Sequence, residues 1–247
     1  MHQAIGVGIL NDLAAGPPGP TDIEQWLRFV VNEYCTAGRI RGEIDFINAW
    51  GLGLPAGSAV AVERAYEELV ARNALIIVGP AVGDNALIAT PLAERHRVPT
   101  LNWAGSENAR GEYMFHLQVG SHEDESIVLA RYFASTGVRH VGVVYDDSPI
   151  GHQHFTFLKL EADRVGLNVA AQIDISPLAE NADRQIEYLL ATDIDALVYL
   201  GLGISAPAVA RALTARAWRG QRAMNTAGIR GYAPAFEGRL LPPCMRR

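Results

Sequence analysis

Short apolar runs alternate with longer helix-spaced stretches along almost the whole chain, and few folds accept that alternation. AIGVGIL (4–10), EIDFINAW (43–50), LIIVG (75–79) and VPTLNW (98–103) read as strands. Helical patterns separate them at about 21–35, 57–72 and 84–95. The first opens on a capping box, in which the Thr21 hydroxyl takes a free amide and Glu24 reaches back; Trp26, Phe29, Val30 and Tyr34 are spaced for one face. After YMFHLQV (113–119) the pattern resumes. Strands are predicted at 140–145, 168–175, 195–201 and 223–227, with helices near 122–136, 150–165, 180–191 and 205–217. Such spacing means parallel sheets with helices on both faces, and the break near 113–120 divides them into two doubly wound α/β lobes.

The 247 residues, 49% of them apolar, suffice for substantial cores. Runs such as AIGVGIL stop far short of the roughly 18 residues of a membrane helix, which argues against membrane insertion. The net charge is −6 with both signs interspersed, so no basic stripe invites nucleic acid. Cys35 and Cys244 stand apart from each other and from any Cys/His array. The N-terminus lacks a basic start and reads as a first strand rather than a signal peptide.

Sheets of this kind bind ligands outside the carboxyl ends of their strands. Val82, Gly83, Asp84 and Asn85 follow the third strand there, with Gly83 permitting close backbone approach. Asp84 reads first as the cap of the following helix, and second as a ligand residue for a hydroxyl, amide or cation. Asn102, Trp103, Gly105 and Ser106 end the next strand and offer an amide, an aromatic wall and a hydroxyl.

Three stretches carry a family resemblance: VVNEYCTAGRIRGEIDFI, ERAYEELVARNALIIVGPAVGDNALIATPLAERHRVPTLNW and GVRHVGVVYDDSPIGHQHFTFLKLEADRVGLNV. They resemble the type I periplasmic binding proteins, in the leucine/isoleucine/valine-receptor branch that also includes cytoplasmic amide sensors. The resemblance runs through about residues 4–235. It implies a non-catalytic binding protein whose two lobes close on a small ligand in the cleft between them, working outside the cytoplasm with ABC transporter permease subunits. Carried over by position, the ligand residues are Gly83 and Asp84, Ala104 to Ser106 beside Trp103, Ser121, Ile150, Gly203 and Ile204 after Leu202, and Ala227.

Two departures bear on the ligand. Amino-acid receptors of this type place a carboxylate about where Ala227 stands, to pair with the ligand ammonium, and often an aromatic residue where Ile150 stands. The expected solutes are amino acids, amides or related small polar and organic acids, with these two changes weighing against an α-amino acid and Arg230 a candidate fork for a carboxylate. Family members also continue further, returning to complete the first lobe, whereas this sequence closes on GRLLPPCMRR. The reading is a first lobe over 1–117 that lacks its return, a second lobe over 118–237 and an irregular tail at 238–247. An incomplete first lobe would expose apolar surface and favour self-association.

Competing signals carry less. GLGLPAG (51–57) lies where a dinucleotide loop would, but its glycine spacing is wrong and no acidic ribose partner follows Gly79. His152 and His154 read as solvated surface histidines rather than metal ligands, and HEDE (122–125) as the negative first turn of a helix. No Gly-x-Ser-x-Gly elbow or Cys-His pairing is legible, so neither catalysis, cofactor nor metal is expected. The alternatives are a cytoplasmic amide-type sensor and a doubly wound nucleotide-dependent enzyme.

Overall fold

The computed structural model describes residues 4–16, 22–117 and 120–228. The chain divides into two units, 1–119 and 120–247.

In the first unit, β1 (Ile5–Asn11), α1 (Asp22–Thr36), β2 (Ile44–Trp50), α2 (Ala59–Ala71), β3 (Ile76–Val78), α3 (Gly83–His96), β4 (Thr100–Asn102) and β5 (Met114–His116) form one all-parallel sheet of order β2-β1-β3-β4-β5. The stretch after residue 113 is thus the edge strand of this sheet, and residues 118–119 lie outside the described ones. The register separates the two sheet faces. Ile47, Gly8, Ile77, Thr100 and Met114 line up across the strands, as do Phe46, Val7 and Ile76, and Val78, Leu101 and Phe115. Ile47, Ile77 and Met114 of the first set pack with Val62, Tyr66 and Leu69 of α2 and Ala89 and Leu92 of α3 into one core.

The opposite face is served by α1. Glu24 accepts a 2.7 Å hydrogen bond from the Asn48 amide, and the Arg28 guanidinium lies 4.7 Å over the Phe46 ring. The Thr21 half of the expected capping box lies outside the described residues. The stripe read from sequence on this helix is present but not buried: Trp26 is 69% exposed and Phe29 59%, with Val30 and Tyr34 close to half exposed. The half-buried positions are Ile23, Leu27, Val31 and Cys35, a neighbouring i, i+4 row.

In the second unit, α4 (His122–Ser135), β6 (His140–Asp146), α5 (Pro149–Val165), β7 (Asn168–Ile175), α6 (Asp183–Leu190), β8 (Ala196–Leu200), α7 (Ala206–Ala215) and β9 (Gln221–Met224) give a parallel sheet of order β7-β6-β8-β9. Its central strands feed both faces. Val141, Val143, Ala196, Val198 and Leu200 pack with Phe133 of α4 and Leu158 of α5. Val144, Leu197 and Tyr199 pack with Ile186 of α6 and Val209 and Leu213 of α7. The last strand is shorter than expected: it stops at Met224, and residues 226–228 form a helical turn. Among the described residues no helix is long and apolar enough to cross a membrane.

Candidate functional site

In both units the strand order switches direction beside the first strand, and each switch point is organised by one buried aspartate. Asp12 follows β1 directly and is 3% exposed. Its Oδ1 accepts the Ala81 N–H and its Oδ2 the Val82 N–H, both at 3.0 Å, and Oδ2 also accepts the Asn85 amide at 2.9 Å. Asn85, fully buried, holds the third loop of this corner: the Leu54 N–H donates to its Oδ1 at 2.9 Å.

These bonds change the expected role of Asp84. Val82, not Asp84, is the N-cap of α3, so Asp84 stands inside the first turn, where its charge meets the positive end of the helix dipole. The carboxylate that takes the corner amides is Asp12, about seventy residues away in sequence. Gly83 and Asp84 are both buried. The glycines of 51–57 also have a structural reason, since a Cβ on Gly53 would lie 2.3 Å from the Asn85 amide and one on Gly57 1.8 Å from the Leu52 carbonyl. The loop is filled by its own protein, as a dinucleotide loop is not.

One strand over, Asn102 braces the β4–β5 connection. Its Nδ2 donates to Ala109 O at 2.9 Å and its Oδ1 accepts the Ala104 N–H at 3.1 Å. His116 hydrogen-bonds the Ala104 carbonyl through Nε2 and the Arg110 guanidinium through Nδ1. Within this braced loop Ala104 is buried, and Trp103 and Gly105 are half-buried. Ser106 is 0% exposed, and among the described residues nothing hydrogen-bonds its Oγ.

The second unit repeats the aspartate. Asp146, the last residue of β6, is fully buried and accepts the Leu202 N–H at 2.6 Å, the Tyr199 hydroxyl at 2.7 Å and the Ser205 hydroxyl at 2.9 Å. Burial pushes its carboxyl above the usual range against the opposing pull of these three donors. The Tyr199 phenol is driven up by burial and by the neighbouring carboxylate, so it stays a donor. Gly203 has φ 86°, and a Cβ there would stand 2.3 Å from the Ala227 carbonyl. This close approach joins two positions expected in the site. Ile204 beside them is 49% exposed, whereas Ala227 is half-buried on the helical turn. Arg230 lies outside the described residues.

Ser121 and Ile150 sit at the starts of α4 and α5. The Ser121 Oγ accepts the Asp124 N–H at 3.2 Å as the α4 cap, so its hydroxyl serves the helix, and the acidic first turn follows. Ile150 is 3% exposed in the first turn of α5. Beneath these helix starts lies a polar cluster around His154, a histidine that the sequence places at the surface. His154 is 1% exposed; its Nδ1 hydrogen-bonds Ser126 Oγ at 3.0 Å, and its Nε2 is 3.2 Å from the Asn225 amide and 3.6 Å from Glu125. Its ring centroid is 4.4 Å from that of His122, which hydrogen-bonds Gln153 at 3.0 Å. Burial, reinforced by His122, pushes the His154 pKa down to about 3, so the ring is neutral. His152 is the exposed one, paired with Asp147 at 3.0 Å. Among the described residues no three His, Cys, Asp or Glu side chains gather as a metal ion would need.

Both sets of strand ends therefore share one plan: a buried aspartate at the switch point, amides and hydroxyls turned toward it, and small residues in the loops. Comparisons with known proteins agree with the topology. The model of a family described as periplasmic binding protein matches residues 55–238. A search of curated proteins finds no match. Among solved structures, a periplasmic binding protein type 1 from Bordetella pertussis superposes with TM-score 0.78 at 15% identity, covering 94% of this chain and 66% of its own. A leucine binding protein, LivK, from Thermotoga maritima gives 0.74 at 13% identity, covering 94% and 67%. A solute binding protein of an R. palustris ABC transporter, in complex with 4-hydroxybenzoate, gives 0.72 at 15% identity, covering 92% and 63%. This chain thus spans about two thirds of the length of the structures it matches. With the family model covering most of its residues and the fold repeated in these structures, the chain belongs to the periplasmic binding protein family.

Proposed function

We propose that this chain carries the ligand-binding function of an ABC importer's solute-binding protein, working outside the cytoplasm and delivering a small organic acid or amide to permease subunits. The observation that carries the reading is Ser106. Around the carboxyl end of β4 the protein has answered its other backbone-bracing needs internally through Asn102 and His116, yet a fully buried hydroxyl has no hydrogen-bond partner among the described residues. Such a group costs about 1–3 kcal/mol when left unmet, so a polar ligand atom placed there gains that much. Trp103 and Gly105, both half-buried, stand in the same loop.

An α-amino acid is the poorer candidate. Its ammonium needs a carboxylate, and Ala227 offers none at the position where the amino-acid receptors place one. The 4-hydroxybenzoate held by one structural neighbour supports an organic acid as the first class to try. The test is calorimetric titration with 4-hydroxybenzoate, benzamide, a short aliphatic acid and leucine. The acids or the amide should bind and leucine should not, and Ser106→Ala should weaken the binder by about tenfold, the loss of one hydrogen bond. Tight leucine binding, or a binder indifferent to Ser106→Ala, would overturn this reading.

A further inference from the structure

After β8, three successive backbone N–H groups are each taken by a side chain. Gly201 donates to Asn225 Oδ1 at 3.1 Å, Leu202 to Asp146 at 2.6 Å and Gly203 to the Tyr199 hydroxyl at 3.2 Å. Asp146 and Tyr199 are bonded to each other, whereas Asn225 reaches the loop from the end of the neighbouring strand, β9. Asn225 is buried, and its own carbonyl accepts the Gly228 N–H at 3.0 Å, closing the turn that carries Ala227. One residue thus ties together Gly203, Ile204 and Ala227, all positions that the family resemblance assigns to the ligand.

Asn225 is held in turn by His154. Gly201 leaves the amide one orientation, because its N–H can bond only the amide oxygen and its carbonyl, 2.9 Å from Nδ2, only the NH2. The other N–H of that NH2 goes to His154 Nε2, 3.2 Å away, so Nε2 is the acceptor. The ring proton is therefore on Nδ1, which donates to Ser126 Oγ at 3.0 Å. All three side chains are buried, so neither bond is exchanged for one to bulk water. The titratable groups facing the ring come from α4: the His122 ring, itself bonded to Gln153 of α5, and Glu125, whose Oε2 lies 3.6 Å from Nε2 while its Oε1 accepts the Thr226 N–H at 3.2 Å. The segment after β9 brings the neutral Asn225 amide, and Asp146 of β6 acts on the same loop through Leu202. Burial keeps His154 neutral down to about pH 3. A second proton would set an N–H against the N–H of Asn225, so the neutral ring is the form that holds the loop. We propose that His154, as its Nδ1–H tautomer, is a positioning residue that orients Asn225 and through it sets the 201–204 loop and the Ala227 turn as a ligand meets them. This rests on the binding role proposed above and adds to it two residues that act through the loops rather than on the solute.

The test uses the 247-residue parent, His154→Leu and His154→Gln. Long-range proton–nitrogen correlation spectra of the isotope-labelled chain read the tautomer, hydrogen exchange reads the Leu202 and Gly203 amides, and calorimetry reads binding of 4-hydroxybenzoate and benzamide. In the parent Nδ1 should carry the proton and Nε2 none, from about pH 8 to about pH 5, which is the rarer form for a free imidazole. His154→Leu should speed exchange at both amides and weaken the binder about tenfold while β6 stays protected. His154→Gln offers a carbonyl in place of Nε2 and should restore both readings to within about threefold of the parent. Should His154→Leu also lose protection in β6, the tautomer and the rescue by glutamine decide. A proton on Nε2, loop exchange in His154→Leu equal to the parent's, or a glutamine variant as impaired as leucine would each overturn the proposal. If neither solute binds the parent, the proposed binding role fails separately, and tautomer and exchange still decide whether His154 sets the loop.

Discussion

The two units share a strand order and differ in how their sheets are covered. In the second, alternate residues of β6 and β8 enter two cores, one beneath α4 and α5 and one beneath α6 and α7. In the first, a single large core lies beneath α2 and α3; on the other face Val7, Ile76, Val78 and Leu101 are only half-buried and Phe115 is 47% exposed. Parallel strands read as continuous apolar runs because both their faces are normally covered. The run LIIVG and the run ALVYL are therefore alike as sequence, and only the packing shows that one is enclosed and the other half open.

The largest difference should come from paired core truncations. Leu158→Ala, at a fully buried position of the second unit, should cost about 3 kcal/mol, whereas Val78→Ala on the open face of the first should cost about 1 kcal/mol or less. Urea unfolding followed by hydrogen exchange in peptides from each unit would separate the two. Equal costs would mean that the open face is enclosed in solution.

Next come the aspartates, where the two units should behave alike. Asp12→Asn and Asp146→Asn each keep the shape but turn an amide N–H toward groups that already donate, so each should cost about 2–3 kcal/mol in its own unit. A neutral result in either would show that the carboxylate there is not needed to hold its loop.

A smaller effect belongs to the second unit alone and depends on pH. His154 stays neutral in the folded chain down to about pH 3, while an unfolded histidine takes a proton near 6.5. The stability this provides is complete above about pH 6.5 and is lost as pH falls toward the folded value, amounting to about 2 kcal/mol between pH 7 and pH 5. Asp146, with its carboxyl pushed up, acts in the opposite sense as pH falls through its raised value. Comparing the parent with His154→Gln isolates the histidine: the pH 7 to 5 loss should shrink by about that amount. An undiminished loss would assign it to other groups.

Much of this was legible beforehand. The alternation placed every strand but β5 to within a few residues, because most elements carry their own period and several their own cap, as Ser121 does before the acidic turn of α4; β5 was read only as the break between lobes. Local pattern could not give the partners across the fold. Asp84 reads as a cap because it adjoins α3, yet the amides at that corner belong to Asp12, which no neighbouring residue announces. His154 was recoverable: Ile150, His154, Leu158 and Ala162 repeat every four residues, and the row that buries the other three buries the histidine too. The outer row of α1 was read correctly as a stripe, but a stripe does not say what it packs against.

The aspartates at the switch points also narrow the chemistry available to this fold. Loop amides next to a helix start are the usual seat of a phosphate in doubly wound sheets. Here those amides are taken in advance by a side-chain carboxyl of the protein, twice over, which a phosphate would have to displace. Selectivity in this molecule thus begins with what it refuses. On the proposed function, nucleotides and sugar phosphates would be disfavoured at both switch points by the scaffold itself, and the site proposed around Ser106 would be left to smaller, less charged solutes.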